Sequence, residues 1–256
     1  MRIVVKVGSS TLTHATGNLN IRRMQKLCRV ISDIKNAGNE VILVTSGAVA
    51  MGVGKLSLKD RPRDIPSKQA VAAVGQCELM YTYDREFSEH NQVVAQILLD
   101  MYDVENEDRL KNFHNTMFRL LDLGALPIIN ENDTVATQEL AIGDNDTLSA
   151  IVASSISADL LVILSDIEGL YTADPRKDPD AVLIPEVFGV TPEIISLAGG
   201  SGSSLGTGGM ATKLKAAQIA NDAGIDMIIT NGADPEVLYD IVDGNSVGTK
   251  FTARKN

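Results

Sequence analysis

Short apolar runs alternate with segments of helical spacing along most of this chain. Apolar runs dominate residues 40–44, where they follow Glu40, and residues 125–129 and 160–164, whereas residues 20–37 carry an apolar side chain every three or four positions. Runs of Val, Ile and Leu without polar alternation are typical of strands that are buried on both faces of a parallel sheet. The pattern predicts an α/β fold: a three-layer sandwich with a mainly parallel central sheet flanked by helices.

The composition narrows the class of protein. The chain has 256 residues, 44% of them hydrophobic and none of them Trp, so we expect a packed core built from aliphatic side chains. A net charge of −10 without a basic stripe argues against nucleic acid as a partner. No apolar run approaches the ~20 residues of a membrane span. Because Met1 leads directly into a predicted strand, we expect no signal peptide, no membrane association and a cytoplasmic location.

Carboxylates and carboxamides cluster around the predicted strand at 125–129. Residues 130–133 (Asn-Glu-Asn-Asp) follow that strand, and residues 144–146 (Asp-Asn-Asp) precede a helix predicted over 148–153. Ligands of α/β proteins bind beyond the carboxyl ends of the strands, so these groups are candidate ligand contacts. Taken alone, Asp133 and Asp146 are equally compatible with ordinary turn and N-cap residues. An EF-hand calcium loop is excluded, since Leu148 and Ser149 stand where it needs Asp or Asn and then Gly.

Two strand ends have the composition of anion sites. The predicted strand at 2–7 contains Lys6 and is followed by Gly8 and Ser9, whose backbone N–H groups are free to face an anion. A lysine in an apolar strand is costly unless it is paired, so we favour a phosphate-binding Lys6 over one that extends to the surface. At residues 45–48 (Thr-Ser-Gly-Ala) a strand passes into a helix through small residues. Such a turn can hold a carboxylate or phosphate.

A glycine-rich segment covers residues 199–209 and enters a helix predicted over 210–223. Its first half is compatible with a plain flexible linker. Its second half places Thr and Lys in the first helical turn, where Lys213 opposes the helix dipole; a bound polyphosphate would remove that conflict. We therefore favour a phosphate site at Thr207, Gly208, Gly209 and Lys213, and expect residues 199–209 to be disordered without nucleotide. A Walker A loop is excluded, because the Gly-Val-Gly-Lys at 52–55 is followed by Leu.

These motifs occur together and in order. They are Val-Val-Lys-Val-Gly-Ser at 4–9, Val-Thr-Ser-Gly-Ala at 44–48, Asn-Glu-Asn-Asp at 130–133, Gly-Asp-Asn-Asp at 143–146, Gly-Leu-Tyr-Thr-Ala-Asp-Pro-Arg at 169–176 and Gly-Thr-Gly-Gly-Met-Ala-Thr-Lys at 206–213. Over nearly all of its length the chain resembles the amino acid kinase family, and within it the members that phosphorylate the side-chain carboxylate of L-glutamate in the first step of proline biosynthesis.

The resemblance implies several further properties. The substrates would be L-glutamate and ATP with Mg²⁺, and the product L-glutamate 5-phosphate. Proline would act as a feedback inhibitor, and the protein would assemble as a homodimer or homotetramer. Residues 1–256 would form one amino acid kinase domain, with a substrate-binding lobe at 1–165 and a nucleotide-binding lobe at 166–256. We expect the chain to be without the C-terminal PUA domain that many bacterial relatives carry.

The same resemblance gives a set of candidate site residues. Because an ionised carboxylate needs no general base, catalysis would rest on cations that neutralise the transferring phosphoryl group, with an aspartate that orients them. No residue is expected to ligate the metal, since Mg²⁺ would be held mostly by ATP oxygens and water. Catalytic residues would be Lys6, Lys213 and Asp146; substrate-binding residues would be Ser46, Gly47, Asp133 and Asn145; nucleotide-binding residues would be Lys6, Gly8, Ser9, Ser165, Asp166, Thr207, Gly208, Gly209, Met210, Ala211, Thr212 and Lys213.

Two other functions remain open from the sequence. A sibling amino acid kinase would act on aspartate, N-acetylglutamate, carbamate or a nucleoside monophosphate, but the Asn-Glu-Asn-Asp segment at 130–133 argues against these. A catalytically silent module could instead bind proline or glutamate as a sensor. The presence of Lys6, Lys213, Asp146 and the full glycine-rich loop argues against a sensor.

Overall fold

The computed structural model describes residues 1–14, 18–135, 144–197 and 209–253. Within these ranges the strands, in chain order, are β1 (Arg2–Val7), β2 (Glu40–Val44), β3 (Val94–Leu99), β4 (Leu126–Glu131), β5 (Leu160–Ser165), β6 (Glu186–Phe188), β7 (Asp226–Asn231) and β8 (Thr249–Thr252). They form one sheet in the order β3-β4-β2-β1-β5-β7-β8-β6. The pairings are parallel apart from that of β7 with β8, which confirms the predicted mainly parallel sheet.

Helices cover both faces of this sheet. The side chains of β1 alternate between two separate apolar clusters, because successive residues of a strand point to opposite faces. This arrangement confirms the three-layer sandwich and explains why the strands lack polar alternation. The helices of the described residues are α1 (Ser9–Leu12), α2 (Ile21–Asn36), α3 (Ala48–Lys55), α4 (Ile65–Ser88), α5 (Met101–Glu105), α6 (Glu107–Asp122), α7 (Asn145–Ser155), α8 (Pro192–Leu197), α9 (Met210–Asp222) and α10 (Val237–Val242).

The two layers of helices pack on opposite faces of the sheet. Helices α6, α7 and α9 pack on the face that carries Val4, Ile42 and Ile163. Helices α2, α4 and α10 pack on the opposite face, which carries Val5, Leu43 and others. No helix within the described ranges is both long and apolar enough to cross a membrane.

Strand β4 extends further than its apolar run predicts. We expected residues 130–133 to follow the strand, but Asn130 and Glu131 belong to it and pair with Leu98 and Leu99 of β3. Both side chains are buried, with exposed fractions of 1% for Asn130 and 8% for Glu131. The apolar pattern ends at Ile129, but the strand continues through these two polar residues. Their burial places both residues within the sheet and not in a surface turn.

Helices α3 and α4 pack at very short distance through two glycines. A Cβ atom on Gly52 would overlap the backbone oxygen of Val71, and one on Gly75 would overlap the backbone oxygen of Ala48. This contact fixes α4 against the start of α3. It therefore also fixes the position of α4 relative to the turn that joins β2 to α3.

We expect Gly52→Ala to lower the free energy of unfolding by about 1–3 kcal/mol, since the added methyl group forces α3 away from α4. Gly54→Ala is a matched control in the same helix, because a Cβ there would meet only the Asn18 Oδ1 atom, at 3.8 Å. That control should be neutral or stabilising by up to about 1 kcal/mol. Urea denaturation of the two variants and the parent measures the difference. Equal stability of Gly52→Ala and Gly54→Ala would contradict the close packing.

Candidate active site

The candidate residues lie at the carboxyl ends of the central strands. Lys6 pairs in register with Val44 of β2 and with Ile163 of β5, so the three strands end at the same edge of the sheet. Ser165 closes β5, and Asn130 lies near the end of β4. In doubly wound sheets this edge forms the ligand crevice.

A cluster of three charged side chains occupies this edge. The Nζ atom of Lys6 lies 2.6 Å from Oδ1 of Asp146, and the Nζ atom of Lys213 lies 3.1 Å from Oδ2. All three side chains are buried, with exposed fractions of 8% for Lys6, 5% for Lys213 and 1% for Asp146. The hydroxyl of Thr212 donates to Oδ2 of Asp146 at 2.9 Å. One carboxylate thus aligns two ammonium groups and leaves a net positive charge.

Two opposing effects act on the pKa of Asp146. Burial acts to raise the pKa of this carboxyl group, whereas the positive charges of Lys6 and Lys213 and their hydrogen bonds lower it. The ion pairs outweigh burial, and the pKa of Asp146 lies below its ordinary range. The carboxylate is therefore ionised at neutral pH and holds both lysines in position.

The first turns of helices α7 and α9 position Asp146 and Lys213. Helix α7 begins after Asp144, whose carboxylate accepts hydrogen bonds from the backbone N–H of Thr147 at 2.6 Å and from its hydroxyl at 2.9 Å. Asp144 is therefore the N-cap, and Asp146 is a first-turn residue that is directed to the lysines. Lys213 occupies the first turn of α9, whose N-cap residue Gly209 supplies no side-chain acceptor for the N–H groups there.

The turns after β1 and β2 lie side by side. The hydroxyl of Ser46 donates to the backbone oxygen of Val7 at 3.2 Å. Gly47, the N-cap residue of α3, has a φ of 108°; this left-handed conformation strains any residue with a side chain. A Cβ on Gly47 would lie 3.6 Å from Cβ of Ser9, and a Cβ on Gly8 would lie 3.6 Å from Nζ of Lys6. The two turns and Lys6 therefore line one small region.

Asp133 and Asn145 lie on the β4 side of the crevice. Asp133 follows β4 and is half-buried, and its pKa is raised by burial, with a smaller opposing effect from Arg61. Asn145 is the first residue of α7, and its Nδ2 donates to Oδ1 of Asn130 at 3.2 Å. Asn145 is also the sequence neighbour of Asp146, so the same helical turn serves the carboxamide and the carboxylate.

Several predicted nucleotide contacts line the opposite side. The hydroxyl of Ser165 donates to Oδ1 of the exposed Asp166 at 3.2 Å, beside the end of β1. Gly209, Met210, Ala211, Thr212 and Lys213 form the start of α9. Thr207 and Gly208, and the expected disorder of residues 199–208, lie outside the described residues.

Helix α4 contributes residues to the site that were not predicted from the sequence. Gln76 is buried on this helix and its Oε1 accepts a hydrogen bond from Nδ2 of Asn130 at 2.8 Å. The hydroxyl groups of Tyr83 and Thr45 lie 2.8 Å apart, which joins α4 to the end of β2. The available signal was a glutamine on the face of α4 that carries Ala72, Leu79 and Tyr83.

The two aspartates at the start of α7 are engaged with protein partners. Both oxygens of Asp146 contact lysine, and both oxygens of Asp144 contact Thr147. In the described part of the chain, no group of three or more His, Cys, Asp or Glu side chains is arranged to hold a metal ion.

Comparison with known proteins identifies the family. A family model described as "Amino acid kinase family" matches residues 1–231. The chain belongs to the amino acid kinase family. Within this family it is 54% identical to the glutamate 5-kinase of Clostridium perfringens over 258 residues, which cover 99% of this chain and 96% of that protein. It is 56% identical to the glutamate 5-kinase of Clostridium tetani over 253 residues, which cover 99% of this chain and 95% of that protein.

Solved structures of two other kinases share the fold. Carbamate kinase from Giardia lamblia bound to AMP-PNP superposes with a TM-score of 0.72 at 18% identity, covering 99% of this chain and 98% of that chain. The isopentenyl phosphate kinase product complex of T. acidophilum superposes with a TM-score of 0.69 at 18% identity, covering 98% of this chain and all of that one. These comparisons confirm both the predicted amino acid kinase-like fold and the interpretation of the chain as a kinase.

Proposed function

We propose that this chain is an ATP-dependent glutamate 5-kinase, which phosphorylates the side-chain carboxylate of L-glutamate in the first step of proline biosynthesis. The observation that carries the chemistry is the buried Asp146 carboxylate between the Lys6 and Lys213 ammonium groups. Two fixed cations at the ligand-binding edge suit a reaction between two anions. The glutamate 5-kinase relatives, more than half identical over nearly full length, support glutamate as the acceptor.

The proposed reaction needs no proton transfer. An oxygen of the ionised glutamate side chain forms a bond to the γ-phosphorus of ATP, the bond from that phosphorus to the β–γ bridging oxygen breaks, and the electron pair leaves with ADP. Electrostatic repulsion between the carboxylate and the triphosphate opposes this approach. Lys6 and Lys213 reduce the repulsion and stabilise charge on the transferring group, and Asp146 keeps both ammonium groups aligned.

The two sides of the crevice would hold the two substrates. Ser46, Gly47, Asp133 and Asn145 are proposed to bind glutamate, with the Asp133 carboxylate paired to its α-ammonium group. On the other side, the triphosphate would be bound by residues at the ends of β1 and β5, in the segment before α9 and in the first turn of α9. They are Lys6, Gly8, Ser9, Ser165, Asp166, Thr207, Gly208, Gly209, Met210, Ala211, Thr212 and Lys213. The uncapped N–H groups at the start of α9 favour an anion there.

Magnesium is proposed to arrive with ATP. The carboxylate oxygens of Asp146 and Asp144 already contact protein groups. These two residues at the start of α7 therefore do not form a ready set of ligands for a metal ion. A Mg²⁺ ion held mostly by phosphate oxygens and water fits this arrangement, and it would neutralise part of the triphosphate charge.

Trapping with hydroxylamine tests the proposal. The purified protein is incubated with MgATP, L-glutamate and hydroxylamine, and γ-glutamyl hydroxamate is measured. Hydroxamate that depends on both ATP and glutamate is the expected result. Product with another carboxylic acid but not with glutamate would favour a sibling kinase. No product with any acid would refute the proposed activity and favour a phosphate-acceptor sibling or a silent sensor.

We expect Asp133→Asn to raise the KM for glutamate by about tenfold or more, with a smaller change in kcat, because the α-ammonium group loses an ionic partner. The raised pKa of Asp133 adds a pH dependence: kcat/KM for glutamate should fall at a higher pH than for an ordinary aspartate, as Asp133 becomes protonated. The variant should lose this decline. Asp84→Asn, which alters an exposed carboxylate of α4, serves as the control. An unchanged glutamate KM in Asp133→Asn would contradict the assignment.

Other parts of the proposal follow from the family resemblance. They are feedback inhibition by proline, a homodimer or homotetramer, and a division into lobes at residue 165. The proposed cytoplasmic location and the absence of a nucleic acid or membrane partner rest instead on the charge and hydropathy of the chain. Strands β7, β8 and β6 lie to one side of β5 in a single continuous sheet, so a lobe boundary at residue 165 would run along β5.

A further inference from the structure

Three side-chain amides form a hydrogen-bonded chain beneath the candidate site. Gln76 of α4 accepts from Nδ2 of Asn130 at 2.8 Å, and Oδ1 of Asn130 accepts from Nδ2 of Asn145 at 3.2 Å. The chain therefore joins α4, β4 and the first residue of α7. Since Asn145 precedes Asp146, it reaches the lysine cluster through a single peptide bond.

One backbone N–H group identifies which atom of each of the three amides is the oxygen. The N–H of Glu131 donates to Asn130 at 2.9 Å, and a backbone N–H can only donate, so the atom that it contacts must be the oxygen of Asn130. Nδ2 of Asn130 then faces Gln76, whose facing atom must be its oxygen. By the same argument Asn145 turns its Nδ2 toward Asn130, and its oxygen points away from the chain.

In this orientation, one polar atom at each end of the chain of amides is left without a hydrogen-bond partner among the described residues. Among the described residues, Nε2 of Gln76 and Oδ1 of Asn145 are buried without a hydrogen-bond partner. A buried amide with one unsatisfied atom costs about 1–3 kcal/mol, so an apolar residue at position 76 would be the more stable choice if only packing mattered. The acceptor that Gln76 presents to Asn130 is the feature that an apolar residue lacks.

The position of Gln76 is fixed by its neighbour in α4. Gly75 contacts the backbone of Ala48 without space for a side chain, and Ala48 begins the helix that follows Ser46 and Gly47. A shift of α4 is therefore resisted at the residue next to Gln76. The amide chain starts from a rigid point and ends at Asn145.

We propose that Gln76 is a positioning residue that determines substrate specificity: through Asn130 it keeps the oxygen of Asn145 directed at the acceptor, where it selects a free ammonium group over an acylated amine. The inference rests on the proposed function and adds a residue that does not itself touch substrate. A carbonyl oxygen accepts from an ammonium group, whereas an Asn145 free to rotate would also offer its NH₂ group to an acyl oxygen. Fixed polarity therefore discriminates between L-glutamate and N-acetyl-L-glutamate.

Gln76→Met tests this role, because methionine has similar volume and no strong acceptor. We expect the KM for glutamate to rise about tenfold, with kcat and the KM for ATP changed by less than about threefold. The ratio of kcat/KM for glutamate to that for N-acetylglutamate should fall about tenfold. Gln76→Glu keeps an acceptor for Asn130 and should restore most of this ratio.

A neighbouring buried polar residue provides the control. Thr82 lies on the same helix, and its hydroxyl donates to the backbone oxygen of Glu78 within that helix. Thr82→Val should leave both the KM for glutamate and the ratio unchanged. Circular dichroism and the unfolding midpoint establish that each variant is folded.

Three results would overturn the inference: an unchanged ratio in Gln76→Met, an equal effect of Thr82→Val, or no recovery in Gln76→Glu. If Gln76→Met proves unfolded, the ratio measured for Gln76→Glu against Asn130→Leu decides, since only the latter removes the link to Asn145. Failure of the proposed function is distinct, because it would appear as absence of glutamyl hydroxamate with the unaltered protein.

Discussion

Replacing Lys213 with alanine is expected to lower the turnover of the proposed reaction by about 10²-fold or more. The Lys213 ammonium is held 3.1 Å from Asp146 in a buried position, as Lys6 is on the other carboxylate oxygen. A fixed cation in a site with little water stabilises transferring negative charge without reorganisation during the reaction. Initial rates of hydroxamate formation at saturating ATP and glutamate measure the effect.

Helix α9 offers a matched control for this experiment. Lys215 is exposed two residues further along the helix, and Lys215→Ala should keep turnover within about twofold. Lys213→Met retains the apolar stem and removes the charge, so it should lose as much turnover as Lys213→Ala. Lys6→Ala should show a loss of similar size. Near-normal turnover in a folded variant of either lysine would contradict the catalytic assignment.

The sequence was most informative where the type of a residue was unusual for its predicted secondary structure. Lys6 stood out because a charge in a strand buried on both faces is unfavourable without a partner, and the structure provides Asp146 as that partner. Gly47 stood out because small residues join a strand to a helix there, and its φ of 108° explains the glycine. The apolar runs likewise predicted the long strands, because both faces of the sheet are covered.

Sequence patterns were least informative where tertiary contacts determine the role of a residue. Gln76 lies in helix α4, and only the fold brings it to Asn130, which is 54 residues away in the chain. The end of β4 was misplaced for a related reason: Asn130 and Glu131 are polar and yet buried, and the side chain of Asn130 has polar partners that are distant in the chain. Short elements such as α1, α5, β6 and α8 lack the length over which periodicity can be recognised.

Replacing Asp146 with asparagine is expected to lower the free energy of unfolding by about 3–5 kcal/mol at neutral pH. The carboxylate is 1% exposed and is in contact with both Lys6 and Lys213, so the isosteric amide leaves two buried ammonium groups without a negative charge between them. The loss should exceed that of a surface ion pair, which contributes at most about 1 kcal/mol. Urea denaturation measures it, with Asp222→Asn at the exposed end of α9 as the control.

The pH dependence separates this electrostatic effect from a simple packing defect. The pKa of Asp146 is lowered in the folded protein, so its contribution is present above the ordinary aspartate value of 3.8 and is lost as the pH falls through the lowered folded value. The difference in stability between the parent and Asp146→Asn should therefore be constant near neutral pH and narrow below 3.8. MgATP should restore part of the stability of the variant, because its phosphates supply negative charge to the same lysines. A difference in stability that does not change with pH would show that Asp146 acts through packing, and would remove the basis for its role in aligning the two lysines.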